Sequence, residues 1–266
     1  MTNQFIDIGA NIAHDSFDED RAEMIQRAFD AGVSKIIVTG SSDDSNLRAL
    51  SLARESSGTL YSTAGVHPHH AADYSDESDA TIRRLVGDPN VVAVGECGLD
   101  YFRNFSPREA QLEAFNRQLD IAQECGKPLF LHQRDAHDDF VDVLEPRLPG
   151  ISRAVAHCFT GEGESLREYL ALGLYIGITG WICDERRGRH LYDIVSLIPD
   201  DRLLIETDAP YLLPRTIRPK PKSRRNEPMY LPEVARVIAD ARGQSIEHVA
   251  AITTANAKRF FDLPED

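Results

Sequence analysis

Cysteine is scarce in this chain of 266 residues. Cys97, Cys125, Cys158 and Cys183 lie 28, 33 and 25 residues apart, with no CxxC pair. That spacing excludes a disulfide framework and the usual structural zinc site, so reduced thiols in a cytoplasmic protein are expected. Long apolar runs are missing as well. The longest stretch free of charged residues and histidine, Tyr169–Cys183, has 15 residues, three of them glycine. A membrane-spanning helix needs about 18 apolar residues, so none is expected. The opening MTNQFID has neither a basic n-region nor an apolar h-region, which argues against a secretory signal. Positive charge is short too. Twenty-nine Lys and Arg face 43 Asp and Glu, a formal net charge of −14. An acidic surface repels phosphates. Any nucleic-acid binding must come from a local basic patch acting within a Debye length of about 10 Å.

What the chain does have is a regular alternation of short apolar runs and amphipathic stretches. Eight strands are expected: Phe5–Gly9, Lys35–Gly40, Leu60–Gly65, Val91–Glu96, Pro128–His132, Arg153–His157, Gly173–Thr179 and Arg202–Glu206. Their starts are 20 to 37 residues apart, room for one strand, one helix and two loops. The runs are apolar throughout, as strands buried on both faces should be. Between them, Ser106-Pro107-Arg108-Glu109 reads as a capping box, and Leu112, Phe115, Leu119 and Ala122 recur at helical spacing up to a terminating Gly126. An irregular segment, Ala209–Pro228, precedes two last helices, Leu231–Arg242 and Ser245–Phe261. Eight βα units spell an α/β protein with a (β/α)₈ (TIM) barrel, read here as a single domain over residues 1–266 and as a monomer. An open doubly wound sheet is the alternative, but no GxGxxG follows the first strand.

In such barrels the chemistry sits at the C-terminal ends of the strands. Glu96, His132, His157 and Asp208 each follow an apolar run there. Two imidazoles and two carboxylates on one barrel mouth make a divalent-metal site with room for water. Each alone reads equally well as a buried, hydrogen-bonded polar residue; burying all four without a purpose is costly. Asp208 is a ligand or the general base, and Glu206 supports it from behind. His67, first past strand three, is placed to reach a substrate phosphate, whereas His69 and His70 read as solvated loop residues. The segment Arg215–Arg225, RTIRPKPKSRR, has six basic residues and no acidic one. It follows strand eight, and an electropositive rim for a polyanion explains it better than a solvated loop does. Arg186 and Arg187 form a second cluster beside Trp181, the single tryptophan, which offers either a stacking surface or plain packing.

The motifs GVHPH, GECGLDY, FLHQRDA, AHCFTG, YIGITG, LLIETDAPYL and RRNEP, in this order, resemble the TatD family of metal-dependent deoxyribonucleases within the amidohydrolase-like barrels. The resemblance runs from Phe5 to Phe261. It implies a (β/α)₈ fold and metal-dependent phosphodiester cleavage, as a 3′→5′ exonuclease on single-stranded DNA and RNA with a role in oxidative DNA damage repair. By motif the metal ligands fall on Glu96, His132 and His157, with Asp208 completing the site and serving as catalytic base. Substrate contacts are expected from His67, Arg134, Arg224, Arg225 and Asn226. Mg²⁺ is the expected metal, with Mn²⁺ or Zn²⁺ also compatible with the donors. Most of the family opens strand one with HxH; here Gly9 and Asn11 stand in those places, and of the two only Asn11 offers an oxygen. Two other functions share the barrel mouth: a small-substrate esterase or amidohydrolase, which needs no basic rim, and a metal-bound module that only binds.

Overall fold

Every apolar run named above becomes a strand in the computed structural model, which describes residues 3–264. The strands are β1 (Phe5–Ala10), β2 (Val33–Val38), β3 (Leu60–Ala64), β4 (Val91–Asp100), β5 (Leu129–Arg134), β6 (Ala154–Ala156), β7 (Tyr175–Ile178) and β8 (Leu203–Ile205). They form one sheet in sequence order, β1 to β8. The pairs β3–β4, β4–β5, β5–β6 and β7–β8 are parallel. The fold is the (β/α)₈ barrel. All residues of β1, β3, β4, β6, β7 and β8 are buried, which is why these runs lack polar alternation.

The helices among the described residues are α1 (Arg21–Asp30), α2 (Asp43–Glu55), α3 (Asp76–Leu85), α4 (Arg108–Cys125), α5 (His137–Leu144), α6 (Gly163–Ala171), α7 (Arg189–Ile194), α8 (Leu231–Arg242) and α9 (Ile246–Phe261). Ser245 caps α9 by accepting the His248 N–H. Gly126 ends α4 in the left-handed region, φ 71°, as its position suggested. The start of α4 differs from expectation. Pro107, not Ser106, is the residue before the first turn, and no side chain caps it. Ser106 Oγ instead donates to the His69 carbonyl and accepts the Ala72 N–H, so the serine joins two loops.

The largest boundary difference is β4, expected to stop at Glu96 and running to Asp100. Its second half pairs with β5 as Gly98↔His132, Leu99↔Gln133 and Asp100↔Arg134. The register shifts between Gly95 and Cys97, which places Glu96 in a bulge.

The chain groups into two compact units. One runs to Ile37 and takes in Cys158–Ala171 and everything from Tyr175 on; the other is Val38–His157 with Leu172–Leu174. In the first, the exit of β8 is tied to β1: Asp208 N donates to Gly9 O at 2.9 Å and Asn11 N to Ala209 O at 2.7 Å. In the second, Phe115 of α4 stacks on Phe140 of α5 at 5.6 Å.

Candidate metal centre

A strand that leaves a sheet leaves backbone groups unpaired, and buried ones must find partners. At the β3 exit two amide side chains supply them. Asn46 of α2 donates to Gly65 O and accepts Gly65 N–H, at 2.9 and 3.1 Å. Gln118 of α4 does the same for Val66, at 3.1 and 2.7 Å. The clamped backbone delivers His67, whose Nδ1 accepts the His69 N–H at 3.1 Å. Its Nε2 therefore carries the proton and faces Glu96 Oε1 at 3.3 Å.

Glu96 owes its position to its glycine neighbours. Gly95 and Gly98 have φ of +136° and +141°. A Cβ on Gly95 would lie 2.2 Å from Phe130 O, and one on Gly98 1.9 Å from His132 O. Only glycine lets β4 approach β5 this closely through the bulge. The Glu96 N–H then donates to Gly40 O at 2.7 Å. Its Oε1 becomes the hub of the site: His157 Nε2 lies at 2.8 Å, His132 Nδ1 at 3.0 Å and His67 Nε2 at 3.3 Å. One nitrogen each from His67 and His132 and one Glu96 oxygen lie within 4.8 Å of one another, a spacing that suits a metal ion.

The electrostatics follow from this crowding. Burial works against charge on Glu96, yet His157 and His67, with the bonds from His132 and His157, hold its carboxyl well below the usual range. Burial lowers His67 to about 4, so its ring is neutral near pH 7. Burial also disfavours charge on His132, but its bonds to Asp100 and Glu96 win and raise it. Asp100 was not among the expected site residues. Its Oδ2 lies 2.7 Å from His69 Nε2 and 3.3 Å from His132 Nε2. His69 is thus half-buried and bonded rather than a solvated loop residue, a correction to the expectation; His70 is exposed, as expected.

In the other unit, the Asp208 carboxylate accepts Asn11 Nδ2 at 3.0 Å. Asn11, standing where HxH would end, orients Asp208. Behind it, Asp7 Oδ1 accepts the Thr207 N–H at 2.9 Å, and burial pushes the Asp7 carboxyl up to about 8. Glu206 Oε1 accepts the Cys158 N–H at 2.5 Å, which ties the β8 exit to the residue after His157. Asn226 is fully buried, donates to Thr207 O at 2.9 Å and accepts the Glu227 N–H at 2.9 Å. It holds the β8 exit rather than offering a surface to substrate.

The basic rim is largely answered from within. Arg225 donates to Asp20 at 2.7 and 2.8 Å and to Glu227 at 2.9 Å, and stacks over Phe17. It is a strut rather than a free cation. Arg215 pairs with Glu185 at 3.0 Å. Arg187 pairs with Asp184 at 3.1 Å and covers the Trp181 ring at 4.6 Å, so one tryptophan face is already taken. Lys220, Lys222 and Arg224 are exposed. Arg134, at the end of β5, lies 4.5 Å over the Phe102 ring.

The comparisons with known proteins agree with one another. Residues 6–262 match the family described as TatD related DNase. A protein of Erwinia billingiae named 3′-5′ ssDNA/RNA exonuclease TatD is 53% identical over 97% of this chain and 99% of its own length. One of the same name from Shigella flexneri is 50% identical over 97% and 98%. A crystal structure of a TatD homologue from Escherichia coli K12 superposes with a TM-score of 0.89 at 31% identity, covering 99% of this chain and all of that one. An isopropylaminohydrolase from Burkholderia multivorans, 14% identical over 97% of this chain and 74% of its own, shares the fold with a TM-score of 0.61. With a family match over residues 6–262 and relatives 50–53% identical along nearly the whole length, this chain belongs to the TatD-related DNase family.

Proposed function

We infer that this chain is a metal-dependent nuclease that removes nucleotides from the 3′ end of single-stranded DNA and RNA. The observation that carries the reading is the convergence of three imidazole nitrogens on one buried carboxylate oxygen at the strand ends. The relatives' printed names support the substrate and the polarity. The donor set fits a divalent cation: the hard carboxylate oxygens suit Mg²⁺ or Mn²⁺ and the borderline imidazole nitrogens suit Zn²⁺, with Mg²⁺ preferred for phosphoryl chemistry. Glu96, His132 and His157 would hold it, with Asp208. When bound, such an ion neutralises charge on the phosphoryl group and lowers the pKa of water.

The chain's own residues supply the rest. Asp208, oriented by Asn11, takes the proton of the attacking water. His67 donates its Nε2 proton to a phosphate oxygen, because its Nδ1 is already an acceptor. Arg134 and Arg224 provide charge for the phosphate backbone without reading sequence. Arg225 and Asn226 act from behind, by holding the segment after β8. The exposed cations Lys220, Lys222 and Arg224, in a protein of charge −14, favour a polyanion over the small-substrate alternative. Cysteines present as thiols suit a cytoplasmic protein, and among the described residues no helix is long and apolar enough to cross a membrane. A role in repair of oxidised DNA rests on the family resemblance.

The test is digestion of 5′- and 3′-labelled single strands with Mg²⁺, Mn²⁺, Zn²⁺ or EDTA. A 5′ label should shorten in a ladder while a 3′ label leaves at once as mononucleotide. The reverse pattern would overturn the polarity, and cleavage of a small ester but of no strand would favour the alternative.

A further inference from the structure

Five large apolar side chains are exposed among the described residues, and two of them share one loop beside the metal centre. Phe102 and Phe105, between β4 and α4, are 54% and 68% exposed. A lone exposed phenylalanine needs no explanation. A pair in one short loop leaves much apolar surface in water for few contacts. The loop is also braced. Asp100 Oδ1 accepts the Arg103 N–H at 2.7 Å. Gln111 donates to both Asp100 O and Ser106 O, at 3.1 and 2.9 Å. Ser106 bonds to His69 O at 3.0 Å. The rings are presented on held backbone, which keeps the entropic cost of using them low.

We propose that Phe102 and Phe105 form a stacking platform for bases of the single strand whose phosphates lie at the metal centre. The proposal rests on the nuclease reading above and deepens it. Two ring contacts, 4.8 Å from Phe105 to His69 and 4.2 Å from His69 to His67, lead from the platform to the ring facing Glu96. Arg134 and Arg103 lie 4.5 and 5.6 Å from the Phe102 ring, so cationic charge accompanies the aromatic faces. Sequence-independent single-strand sites combine those two features: cations follow the backbone while rings stack bases of any identity. An apolar protein partner would have to bury these guanidinium groups, which a polyanion answers directly.

The test is equilibrium binding, with Mg²⁺ present, of a short phosphorothioate oligothymidylate and of the abasic strand of equal length. The wild-type full chain should prefer the base-bearing strand. The double variant Phe102→Ala/Phe105→Ala should reduce that preference by roughly 5- to 150-fold, the loss expected for one to a few stacked bases. Phe105→Trp should keep the preference, and Phe105→Leu, apolar but not aromatic, should weaken it. A double variant that discriminates as well as the wild type would overturn the platform and leave the nuclease reading standing. A wild type that binds neither strand would overturn both. Concentration-dependent self-association abolished by the double variant, with discrimination intact, would reassign the patch to a protein contact and overturn the proposal.

Discussion

Asp208 and Glu96 are both carboxylates, and their surroundings divide the work. Glu96 Oε1 faces three imidazoles and is buried, whereas the carboxylate of Asp208 meets the neutral amide of Asn11. Asp208→Asn keeps size and a neutral oxygen but accepts no proton. We expect kcat to fall by about 10²- to 10⁴-fold, with only modest loss of metal affinity in calorimetry. Loss of the metal altogether would make Asp208 chiefly a ligand. Glu96→Gln removes the one negative charge that all three imidazoles share. Metal affinity should fall by at least about 10²-fold, beyond the usual effect of losing an outer-shell partner. Titrating the variant with Mn²⁺ checks it, and an affinity near the wild-type value would remove Glu96 from the ligand set.

At the scale of elements, the strand ends are held by buried amides. Gln118 reaches from α4 to both backbone groups of Val66, one residue before His67. Gln118→Leu leaves that N–H and C=O without their partner, which should cost about 2–4 kcal/mol in denaturant unfolding and lower turnover as His67 shifts. Unchanged stability would show that the clamp does little. A second device ties α1 to the segment after β8, through Arg27, Asp20, Arg225 and Glu227. Arg225 and then Arg27 hold the Asp20 carboxyl well below the usual range. A depressed carboxylate stabilises the fold fully above its unfolded pKa of about 4, and that contribution fades as pH falls through the lower folded value. Asp20→Asn should therefore cost about 1 kcal/mol at pH 7, modest because the network is partly exposed, and flatten the stability curve below pH 4. Equal acid slopes in both proteins would contradict this.

The same elements show what was legible in the sequence. Apolar runs buried on both faces announce themselves, so all eight strands were found. Polar residues at the ends of these runs singled out Glu96, His132, His157 and Asp208 as candidates, and of these Glu96, His132 and His157 share one hydrogen-bonded cluster. Contacts between distant residues left weaker marks. Gln111 and Gln118 are seven apart on the apolar face of α4, a sign of buried amides that periodicity alone does not explain. Asp20, which takes two bonds from Arg225, lies 205 residues away, so the cluster read as free charge. Asp100 stands in the same GECGLD motif as Glu96 but was not carried into the expected site, because β4 continues past the bulge at Glu96 and a bulge has no one-residue signature.

For the molecule as a whole, the formal charge of −14 and the proposed polyanionic substrate pull in opposite directions. In the proposed reading, a cation at the Glu96 hub, with Arg134, Arg224 and the exposed lysines, would let an acidic protein engage phosphates. The proposed cleavage therefore depends on the metal. The measurement is cleavage of a labelled single strand by EDTA-stripped protein, followed as Mg²⁺ or Mn²⁺ is added back, with binding measured on the same sample. Stripped wild type should be inactive, regain turnover as the metal site fills, and fail to regain it in Glu96→Gln at the same metal concentration. Full activity in the stripped protein, or equal recovery in the variant, would contradict the assignment of the Glu96–histidine cluster as the metal centre on which cleavage depends.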